Sequence, residues 1–233
     1  MFVLGIDTSN ATLSVALVDK DQTLIEVTEH TKNNQSERLM PVIDSIFKQI
    51  NRQPKDLDLI AVAQGPGSYT GIRIGVTVAK LLAWTLNKPL VGVSSLEIVA
   101  RNIEVDGLII PMFDARRQSV FTGAYNGNNY DPIIPDNHYM LEQLLIDLAK
   151  EDQEFYFIGS GVQPYWDQIS QTLGAKAHKL EEEFLNIPHA SRLVKAALTK
   201  EPTLDIHGFV PTYHRISEAE FNWMKAQPVE NHD

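Results

Sequence analysis

Gly65-Pro66-Gly67-Ser68-Tyr69-Thr70-Gly71 runs directly into Ile72-Arg73-Ile74-Gly75-Val76-Thr77-Val78-Ala79-Lys80-Leu81-Leu82-Ala83-Trp84-Thr85-Leu86. Ahead of it, Leu59-Ile60-Ala61-Val62-Ala63 is an apolar run of strand length, so the glycines turn a buried strand into a helix. Apart from Arg73, Thr77, Lys80 and Thr85 the helix is apolar all round, and such a helix must be covered on more than one side. The sheet it leaves covers one side. Gly71, Gly75, Ala79 and Ala83 recur every four residues and share one face almost without side-chain bulk. A glycine inside a helix costs about 1 kcal/mol against alanine, so Gly75 needs a packing reason. Two readings of the stripe stay open: a helix crossing inside the subunit, and a partner interface made by Gly71, Ile72, Gly75, Val76, Ala79 and Ala83.

Upstream of this unit, Phe2–Ile6, Leu13–Val18 and Thr23–Val27 read as three strands joined by short polar turns, an antiparallel meander. Leu39, Val42, Ile43, Ile46, Phe47 and Ile50 then fall at helical spacing over residues 35–50, with Ser36 as the expected cap and Pro41 near the first turns. Downstream, Pro89–Val93 is a fifth strand, and Ser94 or Ser95 caps a helix to about Ile103. The order then restarts. Leu108–Phe113 and Ser119–Tyr125 form a hairpin about Asp114–Gln118, followed by a helix near 140–150, a strand at Phe155–Gly159 and a helix after Pro164. An amphipathic helix over 189–200 and a short one after Ile216 complete the reading, with a frayed Asn231-His232-Asp233. The expectation is an α/β protein of two duplicated halves, 1–104 joined by 205–233, and a smaller 105–204.

Composition narrows the function. A 233-residue chain with 43% hydrophobic and 21% charged residues buries a full core. The absence of cysteine excludes disulfides, thiolate metal sites and a thiol nucleophile. No run approaches the roughly 18 apolar residues of a membrane span, and no basic leader precedes the first strand, so a cytoplasmic protein without membrane contact is expected. A formal charge of −10 argues against a freestanding nucleic-acid binder.

No convincing catalytic set emerges. The glycine loop lacks the Gly-Lys pair of a Walker loop, and Thr70 stands where a dinucleotide fingerprint needs its third glycine. Gly65 and Gly67 before a helix start remain open as a weak phosphate cradle or a tight turn. Asp7-Thr8-Ser9 can hold a metal–phosphate group or form an Asx turn. Ser68 has no neighbouring base, and the histidines never pair at helical metal-ligand spacing. Asp114, Arg116 and Arg117 read either as an anion site or as a solvated turn.

Four stretches together carry a resemblance: Ile6-Asp7-Thr8-Ser9, Ser36-Glu37-Arg38-Leu39-Met40-Pro41-Val42-Ile43, Gly65 to Gly75, and Pro211-Thr212-Tyr213-His214-Arg215. With the Asp114-Ala115-Arg116-Arg117 turn, they resemble the bacterial TsaB (YeaZ) family. The resemblance implies an actin-like fold of the sugar-kinase and heat-shock-chaperone superfamily. It further implies a part in the threonylcarbamoyl modification of a tRNA adenosine, as the non-catalytic paralogue of the TsaD transferase. The implied partners are a TsaD-like transferase, a TsaE-like ATPase, a second copy in isolation, and tRNA only through the complex. The transferase's His-x-x-x-His metal motif falls here on Ser95 and Val99, which cannot supply it. The superfamily's first phosphate loop has glycine after its Asp, whereas Thr8-Ser9-Asn10 has none, so Asp7, Thr8, Ser9, Gly65 and Gly67 read as a vestigial phosphate site. No cofactor is expected, and a nucleotide at the partner interface stays open. The alternative is a small ATP-dependent kinase or acyltransferase built on Asp7 and the glycine loop. A homodimeric module unrelated to tRNA is the third.

Overall fold

The computed structural model describes residues 1–31 and 34–214. In the first half, β1 (Phe2–Asp7), β2 (Thr12–Asp19) and β3 (Gln22–His30) form the meander, followed by α1 (Gln35–Gln49), β4 (Leu59–Gly65), α2 (Tyr69–Leu86), β5 (Leu90–Ser94) and α3 (Ser95–Ala100). The second half repeats it with β6 (Leu108–Asp114), β7 (Ser119–Asn126), β8 (Pro132–Met140), α4 (Leu141–Leu148), β9 (Phe155–Ile158), α5 (Trp166–Leu173) and β10 (Ala177–Lys179), and α6 (Ala190–Ala197) follows. The sheets run β3-β2-β1-β4-β5 and β8-β7-β6-β9-β10, each with two antiparallel pairings in its hairpins and two parallel ones at its crossovers. The second sheet thus duplicates the first strand for strand, as two duplicated halves require.

Alternation along the strands sorts the core into layers. Leu4, Ile6, Val15, Leu17 and Val62 face α1 and α2, while Val3, Ala16, Ala61, Val91 and Val93 face α6 and Ile98 of α3. In the second sheet Ile110, Met112, Phe155 and Phe157 pack on α4 and α5, and Ile109, Phe113 and Ile158 pack on α3. Helix α3 therefore lies between the two sheets, and α6 packs beside it on the first.

Several expectations change. The strand β8 goes unrecognised in the sequence because Pro132, Pro135 and Asp136-Asn137 break its alternation, and as an edge strand it tolerates them. The three-residue β10 is too short to show a period. Helix α6 belongs by chain order to the second half but packs on the first sheet through Ala190, Leu193, Val194 and Ala197. Asn34, not Ser36, precedes α1, without a side-chain cap; instead the buried Gln35 amide donates to the carbonyls of Asn10 at 2.6 Å and Thr12 at 3.1 Å. Ser94 is the cap of α3, accepting from the amides of Leu96 and Glu97. The expected helix after Ile216 and the frayed Asn231-His232-Asp233 lie outside the described residues.

Candidate functional site

The small-residue stripe faces inward. Gly71, Ile72, Gly75, Val76, Ala79 and Ala83 are all buried within the chain, with Ile72, Val76, Ala79 and Ala83 in the core under the first sheet. The reason is the Asp7-Thr8-Ser9 turn. Thr8 Oγ1 donates to the Gly71 carbonyl at 2.7 Å, a Cβ on Gly75 would stand 2.5 Å from that same hydroxyl, and one on Gly71 would strike the Thr8 carbonyl. The partner interface read onto this stripe is thus corrected to a crossing inside the subunit: the small side chains let α2 lie on the end of β1.

The glycine loop closes over the same turn from the other side. Ser68 N donates to the Ser9 carbonyl at 2.7 Å, and Gly67, at φ 152°, leaves no room for a side chain against it. Ser68 also caps α2, accepting from Gly71 N at 3.2 Å. Asp7, Thr8 and Ser9 are each at most 1% exposed. Asp7 Oδ1 accepts from Ser9 N and Ser9 Oγ, both at 2.8 Å, while its Oδ2 is buried without a partner. Burial pushes the Asp7 carboxyl up to about 6, against the Ser9 bonds and the nearby His189, which lower it. Asp7, Thr8 and Ser9 are thus packed and bonded within the chain as a structural joint, with Gly65 buried beside them and Gly67 partly exposed at its rim.

Stretches far apart in sequence meet here. Residues 203–214 cross the open side of β5 and the flank of α2 as a strap. Thr203 bridges Leu90, Gln64 Nε2 donates to the Val210 carbonyl at 2.8 Å, and Thr212 N returns a bond to the Gln64 carbonyl at 2.9 Å. Lys80 Nζ donates to the carbonyls of His207 at 3.0 Å and Phe209 at 2.6 Å. Arg73 Nε donates to Tyr213 Oη at 2.8 Å, with its guanidinium carbon 4.1 Å from the Tyr69 ring centre. Pro211-Thr212-Tyr213-His214 therefore sits against the glycine loop, while Arg215 lies outside the described residues.

What α2 leaves exposed is its opposite face. Tyr69 is 43% exposed, Leu81 57% and Trp84 63%, with Arg73 and Thr77 between them. Met40 and Val210 add exposed apolar surface on α1 and the strap. The strap borders this face, with Tyr213 against the Tyr69 ring and His207 against that of Trp84.

Elsewhere the sequence candidates stay apart. Asp114 lies in water, its Oδ1 accepting from Arg116 N at 2.7 Å and Tyr165 Oη at 2.8 Å, which makes the solvated turn the observed arrangement. Ser95 and Val99 are fully buried, and among the described residues no three His, Asp or Glu side chains are grouped to hold a metal. No described helix is long and apolar enough to cross a membrane. A polar group without a local sequence signal joins the halves: Ser94 Oγ and Tyr125 Oη both donate to Asp136, the latter at 2.5 Å, beside a cleft of about 610 Å³. Burial raises the Asp136 carboxyl and the Tyr125 phenol.

Comparison with known proteins places this arrangement. The family model for tRNA N6-adenosine threonylcarbamoyltransferase, TsaD, matches residues 25–223. A Bacillus subtilis protein named tRNA threonylcarbamoyladenosine biosynthesis protein TsaB is 42% identical over 97% of this chain and 100% of its own length. A Persephonella marina tRNA N6-adenosine threonylcarbamoyltransferase is 32% identical, over 42% of this chain and 33% of its own length. The solved structure of a Pseudomonas aeruginosa protein described as similar to the peptidase YEAZ superposes with a TM-score of 0.77 at 24% identity, over 92% of this chain and 99% of its own, and shares the fold.

Proposed function

The chain belongs to the TsaB family, and on that premise we propose that it is the non-catalytic scaffold subunit of tRNA threonylcarbamoyladenosine synthesis, docking on a TsaD-like transferase. The observation that carries the reading is the exposed row Tyr69, Leu81 and Trp84 on α2. Its inward stripe is consumed by the chain's own turn, so this row is the face of the helix open to a partner. In isolation the same face serves a second copy, and the complex, not the free chain, recruits a TsaE-like ATPase and tRNA. The sealed Asp7 turn supports the absence of an independent nucleotide reaction, because the alternative kinase or acyltransferase needs that carboxylate in reach of a phosphate.

The test is Leu81→Glu with Trp84→Glu. Burying two unpaired carboxylates in an apolar contact should weaken binding to the purified transferase on the order of a hundredfold or more. Both positions face water in the single chain, so at dilutions where the free protein is monomeric the melting temperature should hardly move. Unchanged affinity, or ATP turnover by the free chain at an enzymatic rate, would overturn the proposal.

A further inference from the structure

The N-terminus of α6 is built around His189, which the docking face does not use. The residue is 4% exposed, and its two ring nitrogens look at different acceptors. Nε2 lies 2.9 Å from the Phe184 carbonyl oxygen, and Nδ1 lies 3.7 Å from Oε1 of Glu26 on β3. A neutral imidazole carries one N–H and can serve only one of them, whereas the imidazolium donates towards both. Glu26 is fixed in position: Ser191 N donates to Oε1 at 3.1 Å, Ser191 Oγ to Oε2 at 2.7 Å, and Ser14 Oγ to Oε1 at 3.3 Å.

Other charges complete the surroundings. Asp7 on β1 also favours a charged imidazole, whereas Arg192 on α6 opposes it. On the turn at Glu183–Asn186, the Glu183 carboxylate lies out in solvent beside His30, at 3.7 Å. The Phe184 ring rests against the imidazole, centroids 4.1 Å apart, yet remains 64% exposed. Beneath it is a pocket of about 210 Å³, bounded also by Thr23, Asn102 and Lys195.

We propose that His189 is a protonation-dependent clamp that holds the Glu183–Asn186 turn onto α6 and β3, and that its release lets Phe184 swing off the pocket. Burial by itself favours the neutral ring; the Glu26 carboxylate facing Nδ1 and the bond to the Phe184 carbonyl outweigh it and hold the imidazole above its ordinary value. The opposite balance holds Glu26 below the usual carboxylate range despite its burial. Because the folded-state value of His189 is raised, the clamp is fully made below the unfolded histidine's pKa of about 6.5 and is lost as pH rises through the folded value. The chain on either side of Phe184 is also fixed, by bonds that do not titrate. Asn186 Nδ2 donates to the carbonyls of Leu180 and Glu182, both at 2.9 Å, and Asn102 Nδ2 to those of Leu185 and Ile187, both at 2.8 Å. Motion is therefore confined to Phe184 itself.

The experiment follows the His189 ring by NMR in the full chain from pH 5.5 to 8.5, and measures amide exchange over residues 183–191 across the same range, corrected for intrinsic rates. His189 should titrate above the ordinary value, and protection should fall about fivefold through that midpoint. Glu26→Gln should lower the midpoint, and Asp7→Asn should leave the loss of protection in place, since Asp7 is not the group that grips the turn. Titration at or below the ordinary value, flat protection through the midpoint, or disappearance of the effect in Asp7→Asn would each overturn the clamp. The first two readouts come from the unsubstituted chain, so a variant that fails to fold does not suspend the test.

Discussion

The β1–β2 turn and the β6–β7 turn hold corresponding places in the two halves, and both use an Asp to accept the backbone N–H two residues on. Their fates are opposite. Asp7 is sealed and its carboxyl pushed up to about 6, whereas Asp114 stands in water at a turn whose Arg116, Arg117 and Gln118 all adopt left-handed conformations, at φ 64°, 54° and 59°. Each half even has a glycine loop after its fourth strand, Gly65-Pro66-Gly67-Ser68 and Gly159-Ser160-Gly161. The first loop reaches forward over its turn, with Gly67 against Ser9. The second stays at the end of β6, with Gly161 N donating to the Met112 carbonyl at 2.9 Å and the turn left outside. Duplicated topology thus fixes where a turn lies, and the loop packed beside it decides whether its carboxylate meets water.

The strongest way to break this contrast is Gly75→Leu, which drives a branched side chain into Thr8 where a Cβ alone would already be 2.5 Å from Oγ1. Overpacking against a turn that cannot retreat should cost roughly 3–5 kcal/mol. Chemical denaturation of the variant measures it. Near-normal stability with selective loss of transferase binding would return the stripe to the interface role.

A smaller effect isolates the buried carboxyl. Asp7 has its pKa raised from 3.8 to about 6 on folding, so the contribution of this group is greatest below the unfolded value and is lost as pH rises through the folded one. The shift of roughly two units corresponds to about 3 kcal/mol at most. Asp7→Asn keeps an acceptor for Ser9 and should stabilise the protein by about 2–3 kcal/mol above pH 7, flattening its stability between pH 4 and 7. Denaturant midpoints across that range check it; lower stability of the variant at pH 8 would show the charged carboxylate to be useful where it sits.

The least effect belongs to the open turn. Gln118→Gly replaces a side chain held at φ 59° by the residue that accepts this conformation freely, and should add about 1 kcal/mol of stability. The same denaturant midpoints detect it, and a destabilised variant would mean that the Gln118 side chain holds the turn together.

Much of this was legible in the sequence because the strand-to-helix unit at 59–86 combines a buried run, a capped glycine turn and a period of four. The period established that Gly71 and Gly75 share a face, but not which neighbour meets it. That depended on Thr8, sixty-three residues before Gly71, and on an α2 face that hydropathy alone could not orient. The segment from 205 is expected to join the first half, but the path of the strap leaves no signal, because its bonds are mostly backbone carbonyls meeting Lys80 and Gln64. His189 and Glu26 are likewise brought together only by α6 packing back on the first sheet.

The strap has a further meaning for how the molecule behaves in concentrated solution. Strand β5 ends its sheet, and an uncovered strand edge is a template on which other chains can stack. Thr203 pairs with Leu90 on that edge, and Phe209 then lies over Gly92, so a neighbouring molecule cannot add a strand there. A shortened chain ending before Thr203 would keep all ten of the described strands and lose that shield, trading solubility for brevity.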